Sequence, residues 1–296
     1  MKGIKKGSGT RSGLLWEVER LIEELGDNLP QVILMENVPN VIGERNIKDF
    51  NDWCLFLEQK GYHNYIKVLN AKEVGFPEPI PQNRNRCFMV SILGEYSYTF
   101  PLKSKLRLKL KDMLEKEVSQ KYFLSEKMIN YIISEDDKYK VSENNLVINR
   151  SIACTKSTRE GNTRADCSDY IVEIEKENIN LKELLAIKNN TKIGYLFAQE
   201  GDGINLEQPN SKTRRGRVGK GVAQTLLTSC NQGVVVNKKN DLKIRKLTPK
   251  ECWRLMGFND MDFDKASKVN SNSQLYKEAG NSIVVNVLMA IFKEML

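Results

Sequence analysis

Leu14, Leu15, Val18, Leu21, Ile22 and Leu25 recur at helical intervals, with Glu17, Glu19, Arg20, Glu23 and Glu24 between them. This spacing predicts an amphipathic helix, capped by Thr10 or Ser12 and ended by Gly26-Asp27-Asn28. Pro30 then leads into Val32-Ile33-Leu34-Met35, an apolar run of the kind expected of a strand buried in a parallel sheet. Glu36 and Asn37 stand where that strand should stop. In an open α/β sheet the carboxyl ends of strands are where ligands bind, and a Glu at the mouth of an apolar wall can keep its proton and donate it. The plainer alternative is a strand ending in a solvated polar turn.

A second amphipathic helix is predicted over about residues 46–60, with Ile47, Phe50, Trp53, Cys54 and Leu57 on one face and Gly61 closing it. Tyr62–Leu69 reads as a strand, residues 70–81 as a proline-bearing loop, and Cys87–Leu93 as another strand. Between loop and strand lies Gln82-Asn83-Arg84-Asn85-Arg86; alternation places Gln82, Arg84 and Arg86 on one side of an extended chain. Three such heads suit a planar polar ligand or a phosphate, although an edge strand with solvated arginines has the same pattern.

From about 101 to 240 the pattern becomes irregular and more polar. Leu181–Lys188 suggests a short helix, while Gly201-Asp202-Gly203 and Pro209-Asn210 mark turns. Regular patterning returns with Thr248-Pro249-Lys250-Glu251, a capping box opening a helix that ends at Gly257. Gly280-Asn281-Ser282 then opens, as a polar cap, an apolar C-terminal helix carrying Ile283, Val284, Val287, Leu288, Ile291 and Phe292. Three segments follow: 1–100, an α/β region; 101–240, a less regular domain; and 241–296, a return to the first.

Composition narrows the class. The 296 residues are 40% hydrophobic and 28% charged, with no apolar run long enough to span a bilayer and no signal-peptide pattern, so a cytoplasmic protein with no membrane partner is expected. A net charge of +8 favours a polyanionic partner. Two clusters concentrate it: Lys103, Lys105, Arg107, Lys109 and Lys111, and then Lys212, Arg214, Arg215, Arg217 and Lys220. Either could equally be a solvated face. The six cysteines form no Cys-x-x-Cys pair and His63 is the only histidine, so no metal site is expected and reduced, mostly buried thiols are.

The order of the motifs is more informative than any one of them. Glu36-Asn37-Val38 follows a strand, and Gln82-Asn83-Arg84-Asn85-Arg86 precedes one. After the basic, irregular region come the stretch from Arg245 through Thr248-Pro249-Lys250-Glu251-Cys252-Trp253-Arg254 to Phe258, and finally Gly280-Asn281-Ser282. This series resembles the cytosine-5 DNA methyltransferase family of bacterial or phage type, and Gly9–Glu17 is similar to that family's helix-opening motif. The resemblance implies an α/β fold: part of the Rossmann-like sheet of S-adenosylmethionine-dependent methyltransferases, plus an irregular, mostly β target-recognition domain. It implies double-stranded DNA as partner, S-adenosyl-L-methionine as cofactor, base flipping, and a setting in DNA methylation or restriction-modification. In the family's chemistry a thiolate adds at C6 of cytosine, helped by a proton or hydrogen bond to ring N3. By resemblance Glu36 supplies that proton, Asn37 helps hold it in place, and Arg86, with Arg84 beside it, binds O2. Gln82 and Thr225 belong to the substrate-binding motifs, Thr225-Leu226 being similar to the short motif near the end of the recognition domain. Asn281 and Ser282 would complete the cofactor pocket, and the basic clusters would meet phosphates.

The family's nucleophile is a Cys directly after Pro. Here the residues before the six cysteines are Trp53, Arg86, Ala153, Asp166, Ser229 and Glu251. Cys87 stands beside the active-site arginines, but where the family has an apolar strand residue. The Gly-rich cofactor turn is absent as well; Gly3, Gly7 and Gly9 follow no strand. Three expectations remain open: a split methyltransferase whose second polypeptide carries the missing motifs, a truncated inactive remnant, or a non-enzymatic DNA-binding module.

Overall fold

The structure, a computed structural model, describes residues 14–133, 184–191, 194–211, 213–238 and 241–296. Thr10, Ser12 and the Gly9–Gly13 part of the helix-opening motif, Lys212, Cys154 and Cys167 lie outside these. The chain divides into two compact units, one of residues 1–113, 225–229 and 249–296, the other of residues 114–224 and 230–248. In order, the elements begin α1 (Leu14–Leu25), β1 (Val32–Asn37), α2 (Ile47–Gln59), β2 (Tyr62–Asn70), β3 (Gln82–Asn83) and β4 (Asn85–Leu93). Next come α3 (Glu126–Ile132), β5 (Leu185–Lys188), β6 (Tyr195–Ala198), β7 (Gly203–Asn205), β8 (Val218–Gly219) and β9 (Ala223–Gln224). The series ends with β10 (Gln232–Lys238), β11 (Asp241–Lys246), α4 (Pro249–Arg254), α5 (Asp260–Ser267), α6 (Asn272–Asn281) and α7 (Val285–Lys293).

In the first unit the sheet order is β1-β4-β2, with β4 antiparallel to both neighbours. The expectation of a fully buried parallel strand at 32–35 is therefore corrected. β1 is an edge strand, half-buried at best, and among the described residues it pairs on one side only. The fully buried strand is β4, whose residues Cys87–Ile92 are all inaccessible. Both strands are apolar, and only the long-range pairing decides which becomes central. Phe50, Trp53 and Leu57 of α2 pack with Ile22, Tyr62, Cys87 and Met89, burying the face that the helical spacing predicts. Each such large side chain contributes roughly 1.5–3 kcal/mol. Ile47, from the same predicted face, stays exposed, as do Val18, Leu21 and Leu25 of α1.

The C-terminal helices complete this unit. Trp253 of α4 donates from Nε1 to the Leu275 carbonyl at 3.0 Å, and its ring meets Phe258 at a tilt and Phe263 edge-on. Arg254 grips both carboxylate oxygens of Asp260, at 2.7 and 2.6 Å, and pulls that carboxyl down to about 2, chiefly through these hydrogen bonds. Gly280 and Asn281 close α6 and do not open the last helix, and Ser282 caps α6; α7 begins at Val285. Its Asn286 donates to the Glu78 carbonyl at 2.8 Å and accepts from the Phe76 N–H at 2.9 Å, tying α7 to the 70–81 loop.

In the second unit an antiparallel sheet of order β11-β10-β7-β8 and a β5–β6 ribbon enclose Leu124, Ile132, Ile187, Ala198, Ile204, Leu206, Val235 and Ile244. Leu185–Lys188 is a strand here, not a helix. Its partner is the next strand, the aromatic Tyr195–Ala198, and that hairpin pairing outweighs helix propensity. Among the described residues no helix is long and apolar enough to cross a membrane.

Gly257 has φ +84°, and a Cβ there would lie 2.4 Å from Asn286 Oδ1 and 3.2 Å from Val285 Cβ. Gly257→Ala combines left-handed strain with overpacking, and a loss of about 2–4 kcal/mol is expected in urea unfolding.

Candidate active site

Glu36 projects from the last turn of β1, and in the β1–β4 register it faces Phe88 while Asn37 faces Cys87. This register brings Arg86, at the start of β4, alongside it. Arg86 Nε lies 2.9 Å from Glu36 Oε1, and both side chains are largely covered, 17% and 18% exposed. Glu36 is thus engaged with a guanidinium. Arg86 also donates to the Asn85 carbonyl at 2.7 Å. Asn37 accepts the Val38 N–H on its own Oδ1 at 2.8 Å, an arrangement that fixes the turn directly after Glu36.

The other members of the polar pentad point inward. Gln82 is fully buried; its amide donates to the Leu255 carbonyl at 2.7 Å, and its oxygen accepts the Leu226 N–H at 3.4 Å. Arg84, 4% exposed, reaches the carbonyls of Leu226 (3.3 Å), Gly280 (3.3 Å) and Ser282 (2.9 Å). Burial, and then the neighbouring Arg86 charge, pull its pKa down to about 10, with Glu36 acting against them. It remains a cation at neutral pH, but its fork is occupied by backbone. The two arginines expected side by side on a ligand therefore have different tasks: Arg86 stands at the strand mouth, whereas Arg84 ties the unit together. Thr225 likewise donates to the Asn83 carbonyl at 2.9 Å.

Asn281 is exposed at the end of α6, and the Ser282 hydroxyl donates to the Glu278 carbonyl at 2.8 Å. Gly280 is required between them and the 225–229 segment, because a Cβ would lie 2.4 Å from the Leu227 carbonyl group. One exposed amide and one hydroxyl form at most one wall of a cofactor site. A recess lined by Leu69, Ala71, Arg84, Arg86, Phe88, Ile283, Val284 and Val287 offers about 10 Å³, far short of a nucleobase.

Sequence reasoning missed Asn70. Buried at the end of β2, it donates to Asn83 Oδ1 (2.8 Å) and Asn85 Oδ1 (2.9 Å) and accepts the Lys72 N–H (3.0 Å). The recurrence of Asn at 70, 83 and 85 was the available signal. Cys87 is no nucleophile candidate: it is inaccessible, and burial, with the nearby Glu36 charge, pushes its thiol up to about 11. Among the described residues no cluster of His, Cys, Asp and Glu could hold a metal.

In the basic cluster of the second unit Arg217 is buried and Arg214 half-buried, while Arg215 and Lys220 are exposed. Arg217, 1% exposed, collects the carbonyls of Gln208, Pro209 and Ser211. Arg214 pairs with Glu207 at 2.6 Å, Lys220 with Asp202 at 2.9 Å, and Arg215 donates to the Asn190 carbonyl at 3.0 Å. Burial takes Arg217 alone out of the expected phosphate-facing patch. Its neighbours in sequence suggested solvent, but the 208–211 turn needed a buried donor.

The mixed α/β fold is shared with methyltransferases of known structure. Dnmt2 methyltransferase of S. pombe superposes with a TM-score of 0.55 at 15% identity, over 98% of this chain and 74% of that one. Residues 1–296 match the C-5 cytosine-specific DNA methylase family, and the chain belongs to it. It is 36% identical over 295 residues to type II methyltransferase M2.ScrFI of Lactococcus lactis subsp. cremoris, covering 99% of this chain and 61% of that protein. It is 30% identical over 293 residues to orphan methyltransferase M.SssI of Spiroplasma monobiae, covering 98% and 60%. The chain spans about three-fifths of the length of these two relatives.

Two outcomes follow from this geometry. Arg84→Lys removes the planar fork that reaches three carbonyls, and should lower stability by about 1.5–3 kcal/mol in urea unfolding. At pH 8 only about one Cys87 thiol in a thousand is ionised, so iodoacetamide should leave Cys87 unmodified in the folded chain and alkylate it in urea, as read by peptide mass spectrometry. Because folding raises this pKa, Cys87's contribution to stability is fully present below about pH 8.5 and is lost as pH rises towards about 11.

Proposed function

We propose that this chain is the base-handling and DNA-reading part of a DNA cytosine-5 methyltransferase. The observation that carries the reading is the Glu36–Arg86 pair, held where β1 ends and β4 begins by Asn37, Asn70 and Arg84. A planar base with an acceptor at O2 and an adjacent ring nitrogen matches this pair edge-on: Arg86 donates to O2, and Glu36 places a proton or hydrogen bond on N3. Protonation at N3 drains electron density from C6, which a thiolate can then attack, leaving an enamine that is nucleophilic at C5. The target cytosine must leave the duplex to reach these groups. S-Adenosyl-L-methionine, when bound, supplies an electrophilic methyl group, and Asn281 and Ser282 would form one wall of its site.

No cysteine of residues 1–296 follows a proline; in the split-enzyme form of this proposal, a second polypeptide would supply the thiolate and the Gly-rich cofactor turn. Residues 1–100 and 241–296 then serve catalysis, and 101–240 serves target recognition, reading bases in the major groove of double-stranded DNA. A second reading, a DNA-binding module without chemistry, is favoured by the small recess beside Arg86, which admits no base.

Co-expression with a polypeptide bearing a Pro-Cys and the Gly-rich turn should yield transfer of labelled methyl groups to duplex DNA. In that pair Glu36→Gln should slow transfer by roughly 10²–10⁴-fold, the range typical of a lost general acid. A soluble, folded pair without transfer would sink the enzymatic reading, and an unchanged rate in Glu36→Gln would remove its assigned role. Sequence-specific binding by this chain, with no transfer from any pair, would favour the module.

A further inference from the structure

The two basic clusters look alike in sequence and differ in the structure. Residues 102–111, Leu-Lys-Ser-Lys-Leu-Arg-Leu-Lys-Leu-Lys, carry five cations and no acid. All five are exposed. From Lys105 to Leu110 exposure alternates strictly: Lys105, Arg107 and Lys109 face solvent, Leu106 and Leu108 are half-covered, and Leu110 is fully buried. A period of two is that of extended backbone, which sets Lys105, Arg107 and Lys109 about 7 Å apart; Lys111 follows in the 3-10 turn Leu110–Met113. That interval is on the scale of neighbouring phosphates along one nucleic-acid strand.

The segment is also anchored. Ser104 donates its N–H to the Glu73 carbonyl at 2.8 Å, Lys103 pairs with the Glu73 carboxylate at 2.7 Å, and the Lys109 N–H donates to Asp112 at 2.7 Å. Leu110 and Met113 root its far end in the core. Among the described residues Lys105, Arg107, Lys109 and Lys111 have no carboxylate within salt-bridge distance, whereas Arg214 and Lys220 do and Arg217 is buried.

From this arrangement we infer that Lys105, Arg107, Lys109 and Lys111 form a comb that grips the phosphate backbone of duplex DNA without reading its sequence. The inference rests on the DNA-directed function proposed above, and it assigns the non-specific part of binding to the first unit. The leucines between the cations, half-covered at 106 and 108 and buried at 110, leave little apolar surface to enter a lipid layer, and four cations without acids disfavour a mixed-charge protein partner. Each phosphate neutralised adds about 0.9 to the slope of log affinity against log salt, so four account for roughly 3–4.

The test measures binding of the full chain to a random-sequence duplex across about 50–200 mM salt. K105Q/R107Q/K109Q/K111Q is compared with K67Q/K265Q/K268Q/K277Q, which removes four exposed charges from elsewhere in the same unit. The comb variant should lose about 3–4 units of salt slope, so that its affinity falls roughly a hundredfold less over this range, while the control changes by less than one unit. Equal effects would show that net charge alone is responsible, and an unchanged comb variant would place the grip elsewhere; either overturns the inference. So would a wild-type chain that fails to bind duplex at low salt, or that binds vesicles of anionic lipid more tightly. Methyl transfer is scored separately: a comb-dependent grip with no transfer in any pair counts against the enzymatic reading alone.

Discussion

A buried cation needs partners, and in the first unit Arg84 finds them in three pieces of chain far apart in sequence. Removing a guanidinium from water costs several kcal/mol, and the lowered pKa of Arg84 records that cost. It is offset because the planar fork meets the carbonyls of Leu226, Gly280 and Ser282 together. Gln82 repeats the device two residues earlier, joining Leu226 to Leu255. Gly280 makes the close approach possible by having no side chain to collide with Leu227. The position of Arg86, one alternation further along, follows from this scaffold: with Arg84 turned inward, the next side chain on the same side of the strand emerges at the mouth beside Glu36.

Much of this fold could be read from local pattern. α2 was legible because Phe50, Trp53 and Leu57 mark one helical stripe, and the packing partner had only to be apolar. The motifs at 36–38, 82–86 and 280–282 were legible as landmarks. What they do to one another was not, since alternation says which side a residue faces and is silent on what stands there. Arg84 and Arg86 share a side, yet one meets carbonyls and the other a carboxylate. The exchange of roles between β1 and β4 and the strand at 185–188 share one feature: each depends on which strand lies alongside, which the pattern within a single segment does not carry.

Charge showed the same limit. Arg217 lies in a run that reads as a solvated basic face, but it is one of the most deeply buried large side chains of the second unit. Composition counts charges and cannot say which have already been neutralised by the fold. The difference between Arg217 and Arg107 is one of hydrogen-bond demand in the adjacent turn, and no property of the arginines themselves foretells it.

The course of the backbone has a practical meaning for exchanging parts between relatives. Thr225–Ser229 is a five-residue visit to the first unit in the middle of a stretch that otherwise belongs to the second. A cassette cut at 114 and 248 would carry that visit away with it, and with it the carbonyl and amide of Leu226 that Arg84 and Gln82 hold. A graft of a new second unit must therefore be made as two inserts around 225–229, or must bring its own copy of that strip. The second unit can be replaced here only by leaving one short thread of the old chain in place.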